Sequence, residues 1–202
     1  MALRRSLLAG CMSLLGLMIV PAEAAVPAPA NNDVQLMLAF KSICLDTGAE
    51  AAKVGAVATA SGWRKVAQTP NEVANGARRF EKSDTRGQWL LMVENSVKPA
   101  DSGLPLPTRR KACFIFASPD SANANSAMAS HIGVAPTNRD GAMWYWNYID
   151  HGKSREYFTT TAADLRARAI AGLKSGPWVV IAAGPRNAGQ TMMYNWVSKA
   201  DR

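Results

Sequence analysis

Residues 109–118 read Arg-Arg-Lys-Ala-Cys-Phe-Ile-Phe-Ala-Ser, and this apolar run predicts a buried central strand. Because side chains alternate along a strand, Cys113 points to one face while Phe114 and Phe116 point to the other. Outside an N-terminal targeting segment, the chain has one other cysteine, Cys44. We therefore expect the domain to be organised around a Cys44–Cys113 tether.

The N-terminus has the anatomy of a secretory signal peptide. Arg4 and Arg5 form a basic segment, the apolar run 7–20 follows, and the A-x-A pattern predicts cleavage after Ala24. The run is shorter than the roughly 18–20 residues that span a bilayer, so no transmembrane segment is expected after signal removal. We predict a signal peptide over 1–24, a linker over 25–32 and a single α+β domain over 33–202.

Lipid anchoring is the alternative for this segment. Leu8-Ala9-Gly10-Cys11 matches a bacterial lipobox, and lipidation of Cys11 would hold the protein at a membrane. Little apolar sequence precedes Cys11 and a long apolar run follows it, which is atypical of lipoproteins. A periplasmic or secreted protein is therefore the preferred prediction.

Signal removal leaves an even number of cysteines in an oxidising compartment, which favours a disulfide between Cys44 and Cys113. The alternative is two separately buried thiols. A bridge over so long a loop would stabilise the fold by about 4 kcal/mol at most.

The pattern of apolar residues predicts an α+β fold: an antiparallel sheet of about five to seven strands with three to four helices packed on it. The order of elements suggests three α-β-β units. Ser118-Pro119-Asp120 and Thr161 are expected helix starts, and Gly62 is expected to end a helix in the left-handed conformation. Segments 66–87, 96–108 and 136–141 are polar or rich in turn residues and predict irregular structure. Helices are expected over about 33–45, 49–61, 118–131 and 161–174, and strands over 88–95, 109–118, 142–149, 155–160, 178–183 and 190–198.

The residues give little support to catalysis. His131 and His151 belong to no metal-binding pattern, so we expect no metal and no cofactor. His151, oriented by Asp150 or Glu156, is the best acid–base candidate. No nucleophile motif accompanies it, and no catalytic residue is assigned.

Two surfaces are candidates for binding. Trp144, Trp146 and Tyr148 alternate onto one face of a strand, where they would either stack on a ligand or, as we favour, lie buried. The formal net charge is +8, and one basic cluster, Arg109-Arg110-Lys111, leads into the central strand. An exported basic protein is expected to meet a protein or an anionic envelope component rather than nucleic acid.

The pattern Phe40-x-x-x-Cys44, then Gly62-Trp63, then Cys113 in a strand, resembles small exported proteins of Gram-negative bacteria. The resemblance implies a periplasmic or envelope location and carries over no catalytic or binding residue.

We expect a non-enzymatic periplasmic protein that binds an envelope component or a protein partner. The alternatives are an exported hydrolase that uses His151, and an immunity-type inhibitor of a periplasmic toxin.

Overall fold

The structure is a computed structural model that describes residues 32–85, 87–100, 104–118, 124–159, 162–186 and 189–200. The expected signal peptide, the lipobox at Cys11 and the expected linker apart from Asn32 lie outside these residues. The expected helix starts at Pro119-Asp120 and Thr161 also lie outside them.

Five α-helices occur in the described part of the chain, one more than the three to four that were predicted. The first helix continues directly into a π-helical turn, Lys41–Leu45. The unpredicted helix starts with a capping box, in which Thr69 and Glu72 each accept a hydrogen bond from the other's backbone N–H. The helices are α1 (Asn32–Phe40), α2 (Ala51–Ala60), α3 (Pro70–Ala74), α4 (Ala124–Ile132) and α5 (Ala162–Gly172).

The described residues include nine strands that form one antiparallel sheet, so the prediction of five to seven strands was too low. They follow the order β1-β2-β3-β4-β9-β8-β6-β5, and β7 pairs with β6. The strands are β1 (Arg64–Lys65), β2 (Ala77–Asp84), β3 (Gly87–Lys98), β4 (Thr108–Ser118), β5 (Asn138–Asp140), β6 (Met143–Asp150), β7 (Arg155–Tyr157), β8 (Trp178–Arg186) and β9 (Gly189–Lys199).

The segment expected to be irregular, 66–87, instead contains α3 and most of β2. The β2 sequence ARRFEKSD is polar, and Ala77 and Phe80 are its buried residues. The sequence pattern did not indicate a strand here. Pairing with β3 stabilises it, because Phe80 lies opposite the fully buried Leu91. The element order also departs from three α-β-β units, because β5, β6 and β7 all lie between α4 and α5.

The central strand is where it was predicted, with β3 on one side and β9 on the other. Cys113, Ile115 and Ala117 point to the face on which α1, α2 and α4 pack, and we call this the covered face. Cys44 and Cys113 form the predicted disulfide, with Cα atoms 5.5 Å apart and both residues fully buried. The bond joins the π-helical turn to the middle of the sheet. Other large side chains of this core are Leu36, Phe40, Ile43, Leu91, Met128, Trp146 and Met192.

The opposite face is covered at one end by α5. The helix approaches β6 so closely that a Cβ atom on Gly172 would lie 2.2 Å from Ile149 Cδ1. Ile149, Phe158, Ala169 and Leu173 are the buried apolar residues of this smaller contact.

Gly62 ends α2 as predicted, with a φ of +79°. The Trp63 N–H bonds to the Ala58 carbonyl at 3.0 Å, and the Gly62 N–H bonds to the Thr59 carbonyl at 3.1 Å. This pair of bonds is a Schellman motif, and it turns Trp63 into the core.

Removal of the disulfide should lower the free energy of unfolding by up to about 4 kcal/mol, because it frees a long loop in the unfolded chain. Urea unfolding of the oxidised protein and of the Cys44→Ala/Cys113→Ala variant measures the difference. Reduced wild-type protein is the control and should unfold close to the double variant. Equal stability of the oxidised protein and the double variant would contradict a stabilising role for the bond.

Two glycines of the α2 region should respond oppositely to alanine. Gly62→Ala should destabilise by about 1–2 kcal/mol, because its positive φ disfavours a Cβ atom although the space there is open. Gly55→Ala should be neutral or stabilise by up to about 1 kcal/mol, because Gly55 lies inside the helix and its added Cβ atom makes an ordinary 3.5 Å contact with Phe80. Thermal unfolding of the two variants compares them directly, and equal shifts would refute the conformational argument.

Candidate functional site

The face of the sheet opposite the disulfide carries apolar side chains on its central strands. Leu90 and Met92 of β3 lie directly across from Phe116 and Phe114 of β4, and all four are half-buried. Together with Thr191 and Arg186 they line a depression of about 480 Å³. We call these four side chains the apolar stripe and this face the open face. An antiparallel sheet with one wet face normally places polar residues there, so an apolar stripe indicates a contact surface.

A second depression of about 400 Å³ lies on the same face, where α5 leaves a gap above β4, β8 and β9. Leu165 and Arg166 of α5 form one wall, and the sheet forms the floor. We call it the α5 groove. Its remaining lining residues are Lys98, Leu104, Thr108, Arg110, Trp178, Val180, Asn195 and Val197.

Hydrogen bonds hold the polar side chains of the α5 groove in place. Arg110 donates from Nε and Nη2 to Asn195 Oδ1, at 3.3 Å and 3.0 Å. Asn195 is buried, so it presents a fixed acceptor to the guanidinium. Lys98 Nζ lies 3.3 Å from Glu94 Oε1 and donates to Asn75 Oδ1 at 2.9 Å. The floor of the groove is therefore an ordered polar network beside apolar walls.

The basic cluster Arg109-Arg110-Lys111 does not form one surface. Alternation sends Arg110 to the open face and the other two residues to the covered side. Lys111 pairs with Glu50 and lies 4.5 Å above the Trp196 ring. The hydrogen bond from Lys111 lowers the pKa of Glu50, so this pair is an ion pair at neutral pH. Arg109 is exposed at the rim of the covered side.

The strand with Trp144, Trp146 and Tyr148, which is β6, lies mostly inside the core. Burial of these side chains is the alternative that we favoured from the sequence. Trp146 is fully buried and donates from Nε1 to the Val134 carbonyl at 2.8 Å. Tyr148 is buried against Tyr157, with ring centroids 5.1 Å apart. Trp144 is half-buried, and the Arg139 guanidinium lies 4.4 Å above its ring. Trp146 and Tyr148 therefore do not form an exposed stacking surface.

His151 lies in the exposed turn between β6 and β7. Its Nε2 atom is 3.3 Å from Glu156 Oε2, and Asp150 accepts a hydrogen bond from the Gly152 N–H at 2.8 Å. The structure thus pairs His151 with Glu156 rather than Asp150. Within the described ranges, no hydroxyl or thiol is hydrogen-bonded to the His151 ring. His131 is exposed in the last turn of α4.

Two further properties concern the described residues alone. No group of three or more His, Cys, Asp or Glu residues among them is placed to hold a metal ion. No helix among them is long and apolar enough to cross a membrane.

The sequence placed Phe114 and Phe116 on one face of the central strand but did not indicate a contact surface there. The segment 88–95 has apolar residues on both faces, a pattern typical of a strand buried on both sides, whereas its outward side chains are only half-buried. A signal was present in α5, the helix available to cover this face, because its sequence AADLRARAIAG has few large apolar residues.

Comparison of the chain with protein-family models, with curated proteins and with solved structures finds no match in any of the three. The fold and site define a class by their own features: a disulfide-linked α+β protein whose sheet has one helix-covered face and one open face. The open face is therefore the candidate functional surface.

The buried tyrosines should make the protein less stable at high pH. Burial raises the pKa of the Tyr194 phenol to about 12 and raises that of Tyr148 as well. An unfolded tyrosine titrates near pH 10, so the unfolded state loses protons first and each phenol destabilises the fold by about 1.4 kcal/mol per pH unit above that value. Urea unfolding at rising pH should show this loss, and Tyr148→Phe should reduce its slope. An unchanged slope in the variant would show that Tyr148 ionises freely in the fold.

Proposed function

We propose that this chain is a non-enzymatic binding protein of the Gram-negative cell envelope, and that its open face binds an anionic envelope component. The apolar stripe is the observation that carries the proposal. Its four side chains lie at the centre of the sheet and remain half-buried. Isolated exposed apolar residues are ordinary, but a contiguous group on a rigid sheet is typical of a binding surface.

The charges around the stripe support an anionic ligand. Arg186 is the charged residue that lines the stripe's depression. Arg79 and Glu81 line a neighbouring depression together with Leu90 and Phe116, whereas Lys82 points to the covered face and donates to the Ser61 carbonyl. Arg79 pairs with Glu72 at 3.7 Å and with Glu81 at 3.4 Å, so Arg186 is the cation beside the stripe that no carboxylate of the described residues pairs with. A ligand that carries an acidic group on an apolar body would match this combination of surfaces.

The disulfide supports export. Bonds of this kind persist in the periplasm and outside the cell and are rare in the cytosol. Both sulfur atoms belong to fully buried residues of the core, so the bond is a structural element rather than an exposed redox site. This agrees with the signal peptide expected over 1–24.

The hydrolase alternative rests on the pair formed by His151 and Glu156. The two side chains are exposed to 31% and 61%, so solvent surrounds the pair and screens its interaction.

Binding of a protein partner, including an immunity-type interaction with a toxin, would use the same open face and is an outcome of the experiment below.

The experiment measures retention of the purified protein on the envelope fraction of Gram-negative cells. Retention should fall as ionic strength rises from about 0.01 M to about 1 M, because the Debye length shortens from about 30 Å to about 3 Å. Met92→Thr and Phe114→Thr should reduce retention at low salt while the protein stays folded, since threonine suits a strand.

Val97→Thr is the matched control. Val97 lies on β3 like Met92, but it points to the opposite side and is 63% exposed. Its replacement should leave retention unchanged. Salt-independent or negligible retention of the wild type, or equal retention of all three variants, would overturn the proposal. Protease treatment of the fraction that abolishes retention would identify a protein partner in place of a lipid-class component.

A further inference from the structure

The geometry points to the α5 groove as a site for a single-chain anionic amphiphile of the fatty-acid class, with its carboxylate on Arg110 and Arg166 and its chain against the apolar walls. This inference goes beyond the proposed function, because it assigns a ligand class to a second site on the open face. It concerns the groove and not the apolar stripe, so the two can be tested separately.

The charge of the groove is the first argument. Lys98, Arg110 and Arg166 line it, and no Asp or Glu is among its described lining residues. Glu94 lies 3.3 Å from Lys98 and compensates its charge. The acceptor that holds Arg110, in contrast, is the neutral side chain of Asn195. Within the described ranges, neither Arg110 nor Arg166 pairs with a carboxylate. Two guanidinium charges therefore meet at one depression, where a single anion would compensate both.

The orientation of Arg110 is the second argument. Its Nε and Nη2 atoms are anchored on Asn195 Oδ1, and Asn195 is 9% exposed. A planar guanidinium held on one edge keeps its remaining N–H donors in a fixed direction. No described residue accepts a hydrogen bond from those donors. Asn195 is thus a positioning residue that prepares Arg110 for an oxygen ligand.

The apolar walls are the third argument, and they favour an amphiphile over a simple inorganic anion. Leu104, Leu165, Val180 and Val197 line the groove beside the Trp178 ring. The volume of about 400 Å³ is at the smaller end of the range of roughly 300–1,000 Å³ that is usual for small-molecule sites. It suits one aliphatic chain better than the two chains of a phospholipid.

Trp178 adds a polar group that the fold leaves unsatisfied. Its indole Nε1 atom is buried and has no hydrogen-bond partner among the described residues. Buried N–H groups are nearly always paired, so an unpaired donor in a residue that lines a groove is itself unusual.

The test is a calorimetric titration of the purified full chain with monomeric dodecanoate. Binding should saturate. Acetate, which has the head group without the chain, and dodecyltrimethylammonium, which has the chain with the opposite charge, should bind at least about tenfold more weakly. Equal binding of the two dodecyl compounds would show that the groove recognises the chain alone and would overturn the inference.

Charge variants locate the site. Arg110→Gln and Arg166→Gln should each weaken dodecanoate binding about tenfold, the effect expected for one charge-assisted hydrogen bond. Arg166 is exposed on α5, so its replacement should leave the fold intact even if Arg110→Gln does not. Arg64→Gln is the charge-matched control, since its side chain is 74% exposed on edge strand β1, and it should change affinity by less than about twofold.

Two further measurements distinguish the groove from other places where dodecanoate or a lipid could bind. Arg186→Gln should leave dodecanoate affinity unchanged, and a loss there would move the ligand to the apolar stripe and overturn the assignment to the groove. Binding to vesicles of anionic phospholipid without binding to dodecanoate would identify a membrane surface as the occupant and would also overturn it. If dodecanoate fails to bind while envelope retention still depends on Phe114, the proposed function stands and the groove assignment falls.

Discussion

The Cys44–Cys113 bond is the constraint on which the rest of the structure depends. It joins the π-helical turn after α1 to the middle of the central strand, across a sequence separation of 69 residues. The helical segment is thereby held over the sheet, and Phe40 and Ile43 on either side of the attachment are buried with it. Because alternate residues of a strand face opposite ways, the choice of Cys113 as the inward residue also determines which side chains of β4 face outward.

The two faces of the sheet therefore have different roles although the same strands build them. Inward residues complete a core that three helices cover, and that core accounts for most of the buried apolar side chains. Outward residues are apolar near Phe114 and Phe116 but polar near Arg110, where Asn195 holds the guanidinium. Burial supplies stability on one side, while the other side keeps apolar surface and positive charge available for contact.

Sequence reasoning succeeded where local rules and covalent chemistry act. It predicted the central strand, the disulfide, the end of α2 at Gly62 and the two C-terminal strands, β8 and β9. It missed β1 and β5 because strands of two or three residues carry no measurable periodicity. It missed β2 and the open face for the same reason, which is that neighbouring strands and helices decide which residues are buried there. On β3, for example, apolar side chains lie on both faces, but helices cover only one of these faces.

The disulfide has a further consequence for how the chain tolerates change in length. The disulfide fixes Cys113 as an inward residue. Because side chains alternate along a strand, this determines which face every other β4 side chain points to. Exchange of one outward side chain for another keeps this arrangement. Insertion of a single residue between Cys113 and Phe114 would instead turn both phenylalanines inward and expose Ile115. The fold therefore tolerates exchange of outward β4 side chains better than it tolerates an insertion in the strand.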